Sequence, residues 1–284
     1  MSLVSFVLDY WFLTPVSIVA ATIATMVGIG GPVFFTPLFI FVLELPPATA
    51  VATALFTQSF GFLSGAIAYW RSHLVDRTHA GHLLLFTVPA ALAGSLLADK
   101  VPAPLLRRLF GCVALAISYQ MYVSAQQDRR RDPEDLALGG SPHTVLVDRS
   151  GATYRYTIGR RAEGAVLSTV GAVLLGMISV GLAELQGYQL IARGRVPPPV
   201  AVATTVLVVL AAVVAASAGH LYNLTVGGGA DELQRVLQIL LFTVPGVLIG
   251  GQLGPLVQTR LNPRVTSTAI AVVLLAVGGV MLVA

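Results

Sequence analysis

Apolar stretches of about twenty residues, nearly free of charge, alternate along this chain with short polar connections. Three lie in the first part, at about 48–70, 80–98 and 104–124, and three in the second, at about 198–221, 234–256 and 264–283. At 1.5 Å per residue, roughly 20 such residues cross a hydrocarbon core of about 30 Å, so the pattern predicts membrane-spanning helices. A shorter, broken apolar stretch precedes each trio. The first runs from about 12 to 44 and is interrupted by Gly28-Ile29-Gly30-Gly31-Pro32. The second runs from about 163 to 193 and is interrupted around Gly181-Leu182-Ala183-Glu184. Their arms of roughly 11–18 residues, about 16–27 Å, fall short of that core and predict helical hairpins that dip in and return. Two thin full crossings would give the same sidedness downstream.

The two trios are related. Pro46-Pro47-Ala48-Thr49-Ala50-Val51-Ala52-Thr53 is echoed by Pro198-Pro199-Val200-Ala201-Val202-Ala203-Thr204, an offset of 151 from Thr53 to Thr204. Leu85-Phe86-Thr87-Val88-Pro89 with Gly94 is echoed by Leu241-Phe242-Thr243-Val244-Pro245 with Gly250, an offset of 156. The difference places a small insertion near 222–232. An internal repeat in so apolar a chain points to a transporter fold, which sets its binding site between related halves. Three units follow: a first repeat over 1–124, a linker over 125–161 and a second repeat over 162–284.

Composition agrees. Apolar residues make up 56% of the 284 and charged residues 11%, against about 45–50% and 25% in soluble domains. The net charge of +4 therefore carries no expectation of nucleic-acid binding; the arginines lie between apolar segments and set orientation. Arg129, Arg130, Arg131, Arg149, Arg155, Arg160 and Arg161 put the linker in the cytoplasm. Tracing outwards adds Arg71, Arg77, Arg193, Arg195, Arg260 and Arg264 to that side, leaving Lys100, Arg107, Arg108 and Arg235 opposite. That bias makes the two repeats inverted and both termini periplasmic. Arginine richness with a single lysine suggests a bacterium with a GC-rich genome, hence its inner membrane. The N-terminus lacks the basic region of a signal peptide. The single cysteine, Cys112, excludes an internal disulfide, makes a cysteine metal site improbable and reads as a small packing residue.

In the linker, β-forming residues at 143–147 and 152–158 flank Asp148-Arg149-Ser150-Gly151 and read as a β-hairpin. It reads as a solvated connector between inverted halves, with a regulatory or partner-binding role as the alternative.

Several residues could carry chemistry. Gly28, Gly30 and Gly31 permit unusual backbone conformations, and Pro32 suits a first helical turn. The resulting helix N-terminus at membrane depth could hold an oxyanion on free N–H groups; close helix packing is the alternative. Thr53 and Thr204 occupy matching places, joined by Thr57, Gln58, Ser59 and Thr205, whose hydroxyls and amide could replace a ligand's hydration. Membrane threonines also bond their own helix carbonyls. Glu184 is an acid within the second hairpin, with Gln186, Tyr188 and Gln189 beside it. Intramembrane acids are usually functional, and a protonated resting form would make Glu184 a proton-coupling group; a hydrogen bond closing the hairpin is the alternative. His82 and His220 sit near span ends and read as interfacial anchors.

The GIGG element followed by Pro37-Leu38, with Ala-Val-Ala-Thr about twenty residues on and again in the second half, resembles the TauE/SafE family of membrane permeases. The resemblance covers nearly the whole chain outside the linker. It implies permeation of sulfite, sulfonates and other small organic anions, an anion-binding role for Gly28, Gly30 and Gly31, and ligand contacts at Thr53 and Thr204. The chain departs from the family at Gly181–Gln186, where many members repeat the glycine motif. An acid beside an anion site suits a proton-coupled cycle. The expectation is an all-α polytopic membrane protein that moves sulfite or an organosulfonate such as sulfoacetate by alternating access. Substrate-binding residues would be Gly28, Gly30, Gly31, Thr53, Thr57, Gln58, Thr204, Thr205 and Gln186, with Glu184 carrying protons. An anion channel or a small-carboxylate permease are the alternatives. No HExxH, GxSxG or ATP-binding motif is visible, so neither an enzyme, a metal nor a cofactor is expected. Lipid and a small anion are the expected partners, with protons and a second copy of the chain as further candidates.

Overall fold

The computed structural model describes residues 10–27, 32–127, 144–226, 230–258 and 263–283. Within them lie ten helices and one small antiparallel sheet. The first broken stretch forms α1 (Leu13–Val27) and α2 (Pro32–Phe41), and its trio is α3 (Pro47–Arg71), α4 (Arg77–Ala98) and α5 (Ala103–Gln127). The linker pairs β1 (Thr144–Val147) with β2 (Thr153–Tyr156). The second half repeats the order: α6 (Arg161–Ile178), α7 (Leu182–Tyr188) with a π-turn over Gln189–Arg193, then α8 (Pro198–Val226), α9 (Ala230–Gln258) and α10 (Pro263–Val283). Helices therefore stand where the six spans were expected, and the second break falls between α6 and α7. Gly28, Gly30 and Gly31 lie outside the described residues.

Among the described residues, five helices are long and apolar enough to cross a membrane: α3, α4, α6, α8 and most of α9. α6 is among them: at 18 residues, about 27 Å, it lies at the upper end of the arm lengths the sequence suggested. The second hairpin closes on itself. Glu163 in the first turn of α6 takes hydrogen bonds from Arg193, at the end of the π-turn, at 2.9 and 3.3 Å. Glycines at 164 and 171 of α6 face Gln189 and Leu182 of the returning arm.

The halves grip one another by exchange. α1 packs along α9 and α6 along α4, so each hairpin's first arm lies on the other half's helix carrying Leu-Phe-Thr-Val-Pro. α3 likewise meets α9 as α8 meets α4, while α3 packs on α8 and α5 on α10. The repeated motif explains the orientation. Leu85 and Leu241 point outwards, 72% and 65% exposed, whereas Thr87 and Thr243 are fully buried. The glycine that follows gives the close approach: a Cβ on Gly94 would collide with the Val173 carbonyl, and one on Gly250 would lie 2.5 Å from the Ile18 carbonyl. Small residues allow such contact in lipid, where apolar side chains gain nothing by leaving the solvent. Gly176 reciprocates against the Ala91 carbonyl. Cys112, by contrast, is exposed and does not pack in the interior.

The β-hairpin turn is organised by Asp148, whose Oδ1 accepts from Ser150 N, Ser150 Oγ and Ala152 N at 2.6–2.9 Å. The Ser150 hydroxyl above all holds the Asp148 carboxyl below its ordinary value. A depressed pKa stabilises above the unfolded value and is lost as pH falls through the folded one. Amide exchange at Ser150 and Ala152 should therefore accelerate only below the ordinary carboxylate range, and at neutral pH in Asp148→Ala.

Gly176→Val should lower thermal stability by roughly 1–3 kcal/mol or more through overpacking. Gly187→Ala, with nothing within 4 Å of the new Cβ, should be neutral or stabilising by up to about 1 kcal/mol. Melting curves in detergent check both.

Candidate functional site

The second break and the returning arm of the first hairpin meet inside the bundle. The hydroxyls of Thr36 on α2 and Ser179, just after α6, lie 2.6 Å apart, and both are buried. Ser179 adopts a left-handed conformation, φ 63°, and Gly181 a φ of 124° that suits only glycine. The chain thus turns sharply and starts α7 within three residues. Glu184 closes that start: its Oε2 accepts from the Gly181 N–H at 3.0 Å, filling one orphan donor of the new helix.

The sequence-predicted polar residues divide into partnered and unpartnered sets. Thr53 donates to the Thr49 carbonyl at 2.7 Å, the back-bond common in membrane helices. Thr57 meets Thr243 of α9 at 3.0 Å. Thr204 accepts from the Asp76 N–H at 3.1 Å, beyond the far end of α3 from Thr53, so the matching threonines serve opposite ends of that helix. Gln58, Gln186 and Thr205 differ. All three are buried, and their amide and hydroxyl groups find no hydrogen-bond partner among the described residues. Uncompensated burial of an amide or hydroxyl costs about 1–3 kcal/mol on protein scales, so such groups mark places where a ligand's polar atoms can act as partners.

Four more buried side chains have an atom without a partner among the described residues: Ser17, Ser168, His79 at Nε2 and the amide of Gln189, the last already expected beside Glu184. Ser17 and Ser168 are separated by 151 residues, the same offset as Thr53 and Thr204, so the repeat itself could have found them. Ser168 lies one turn from both Gly164 and Gly171, where α6 and the returning arm come closest. Gln186 and Gln189 share a face at i, i+3 spacing. The second hairpin therefore gathers a hydroxyl and two amides, rich in donors and without charge.

A cavity of about 200 Å³ opens at one end of α3, lined by Ala48, Thr49, Ala52, Asp99, His220, Asn223, Leu224 and Glu232. Thr49 donates to Glu232 at 3.1 Å, and Asn223 donates to the Ser95 carbonyl at 3.1 Å. His220 is not an interfacial anchor. It is 2% exposed, and its Nε2 lies 2.8 Å from the Gly176 carbonyl of α6. His82 is exposed and bonds its own helix at the Thr78 carbonyl, as an anchor would.

At the other end of α3 the corresponding place is occupied. Asp76 caps α4 through the His79 N–H at 2.9 Å and accepts from the Tyr156 hydroxyl of β2 at 2.9 Å. Burial, then the facing Asp76 carboxylate, push the Tyr156 phenol well above its ordinary range, so it remains a donor. One face of the linker hairpin is thus packed rather than solvated.

Among the described residues, five helices able to cross a membrane with polar groups buried between them define a polytopic helical membrane protein. A family model described as "Sulfite exporter TauE/SafE" matches residues 13–281, and the chain belongs to that family. It is 23% identical over 278 residues to the probable membrane transporter protein YunE of Bacillus subtilis, covering 95% of this chain and 96% of that one. It is also 23% identical over 259 residues to the probable membrane transporter protein YjnA of the same organism, covering 89% and 92%. No solved structure matches. The chain is a multi-pass membrane transporter, not an enzyme.

Thr36→Val removes the one side-chain bond between the hairpins named above. It should cost about 0.5–1.5 kcal/mol, the net worth of one hydrogen bond, since Ser179 keeps its donation to the Ile178 carbonyl, read as a lower melting temperature that Thr36→Ser restores.

Proposed function

We propose that this chain is a secondary transporter for a small oxyanion, sulfite or an organosulfonate such as sulfoacetate, working by alternating access. The observation that carries the reading is the set of buried, uncharged and unpartnered groups at Gln58, Gln186 and Thr205, extended by Ser168 and Gln189. Their N–H and O–H groups suit the acceptor oxygens of a sulfonate or sulfite, which could then cross without a buried cation to hold it back. Gly28, Gly30 and Gly31, with Pro32 opening α2, would add backbone N–H donors. Thr53, Thr57 and Thr204 would contribute hydroxyl oxygens along the route. The sulfite in the family's description supports the substrate class.

In this reading 1–124 and 162–284 are inverted repeats joined by a cytoplasmic linker over 125–161. Both termini are periplasmic and the protein sits in a bacterial inner membrane as a monomer or homo-oligomer. Inversion would put the two ends of α3 at opposite faces, one bearing the cavity and the other the Tyr156 contact. Glu184 is the proton-coupling candidate. Protonation of its carboxyl would lower the negative charge beside an arriving anion while leaving an oxygen to cap Gly181.

Flux into proteoliposomes tests the proposal. Sulfite or sulfoacetate uptake should saturate and be driven by a pH gradient. Gln186→Leu and Gln58→Leu should each reduce it by about tenfold, the worth of one lost hydrogen bond near 1.4 kcal/mol. Glu184→Gln should abolish the pH dependence; unchanged flux at every pH removes the proton role. Large single-channel currents would make the protein a channel, and preferred uptake of acetate a carboxylate permease.

A further inference from the structure

The open cavity has a counterpart that the repeat identifies. Applying the offset of 151, Thr49 and Ala52 of its wall correspond to Val200 and Ala203; applying 156, Glu232 corresponds to Asp76. The two places lie at opposite ends of α3, a helix of 25 residues and hence about 37 Å. At the first, Glu232 bonds the Thr49 hydroxyl and the space of about 200 Å³ is open. At the second, Val200 is fully buried in an apolar cluster with Tyr156, Ile158, Leu190, Val196 and Ala201.

We propose that the linker β-hairpin is a plug. Through Tyr156 it closes the mouth at Asp76 and Val200, the repeat-related partner of the open cavity at Glu232 and Thr49. The hairpin is held at three points of different kinds. Tyr156 donates to Asp76 at 2.9 Å. The Arg149 N–H donates to the Ser72 carbonyl at 3.2 Å. The Tyr156 ring and Ile158 lie against Leu190, in the π-turn that ends the second hairpin. Asp76 belongs to the first half and Leu190 to the second, so the plug spans the seam across which the halves would have to move. Asp76 also donates its N–H to Thr204 at 3.1 Å, which links the plug through Asp76 to the repeated Ala-Val-Ala-Thr element. Among the described residues the mouth at Glu232 and Thr49 is open, whereas the mouth at Asp76 and Val200 lies under the hairpin. Withdrawal of the hairpin would open the second mouth, which makes the linker a gate at that end of α3. The functional consequence rests on the alternating-access reading; the closure itself does not.

The single native cysteine, Cys112, makes a cysteine-free background one substitution away, as Cys112→Ser. Single cysteines at Val200 and at Ala48, which lines the cavity, are then labelled with a polar maleimide in the full chain in nanodiscs, where both faces are accessible. Ala48→Cys should react readily and Val200→Cys at least about tenfold more slowly, with Tyr156→Ala removing that protection and Tyr156→Phe, which loses only the hydroxyl bond, giving an intermediate rate. Unchanged protection of Val200→Cys in Tyr156→Ala overturns the plug. Should Tyr156→Ala fail to fold, Tyr156→Phe decides alone: a rise supports the plug and no rise refutes it. Labelling at Ala48→Cys separates the two readings. A fall there as Val200→Cys opens supports alternation of the mouths, whereas opening of Val200→Cys with Ala48→Cys unchanged leaves the plug standing and removes alternating access.

Discussion

Backbone contact at glycine is the constraint on which this structure depends. Lipid gives apolar helices no reason to associate, so the energy must come from dispersion at short range and from hydrogen bonds. Gly94 and Gly176 let α4 and α6 touch through their main chains, and Gly246, Gly250 and Gly254 do the same for α9 and α1. The Thr14 hydroxyl adds a bond to the Phe242 carbonyl at 2.8 Å. Both contacts join a hairpin arm of one half to a long helix of the other. Everything between them, including the Thr36–Ser179 meeting of the hairpins, is positioned by these two clasps.

Much of the fold was legible because membranes impose a coarse rule on sequence. Length and hydropathy alone locate the helices α3, α4, α5, α8, α9 and α10, and the interruption at Gly181–Glu184 locates the second break. The repeat was legible as well, yet its meaning was not. Leu-Phe-Thr-Val-Pro with glycine looks like a motif internal to each half, whereas the glycine acts on the opposite half. No local pattern encodes that exchange. The same holds for Asp76 and Tyr156, polar residues 80 positions apart that become partners only after the linker folds back.

The candidate site was half readable. Gln58, Gln186 and Thr205 were legible as polar residues in apolar helices, and each is buried with no side-chain hydrogen-bond partner among the described residues. Thr53, Thr57 and Thr204 looked equivalent to them but have partners: Thr53 bonds the Thr49 carbonyl of its own helix, Thr57 the Thr243 hydroxyl and Thr204 the Asp76 N–H. Glu184 combines both readings, since a carboxyl at a helix start is a cap by geometry whatever else it does. Ser17 and Ser168 escaped notice because a lone serine in an apolar helix carries no pattern until the repeat offset is applied to it.

The exchange of hairpin arms also bears on how the protein is made. Thr14 and Phe242 are 228 residues apart, so at a synthesis rate of 5–20 residues per second α1 enters the bilayer roughly 11–46 s before its partner helix exists. During that interval its tight-packing face, with Ser17, Ala21 and Thr25, has only lipid or the insertion machinery to meet. A duplicated transporter built this way cannot assemble one half at a time. Its first helix waits for nearly the last.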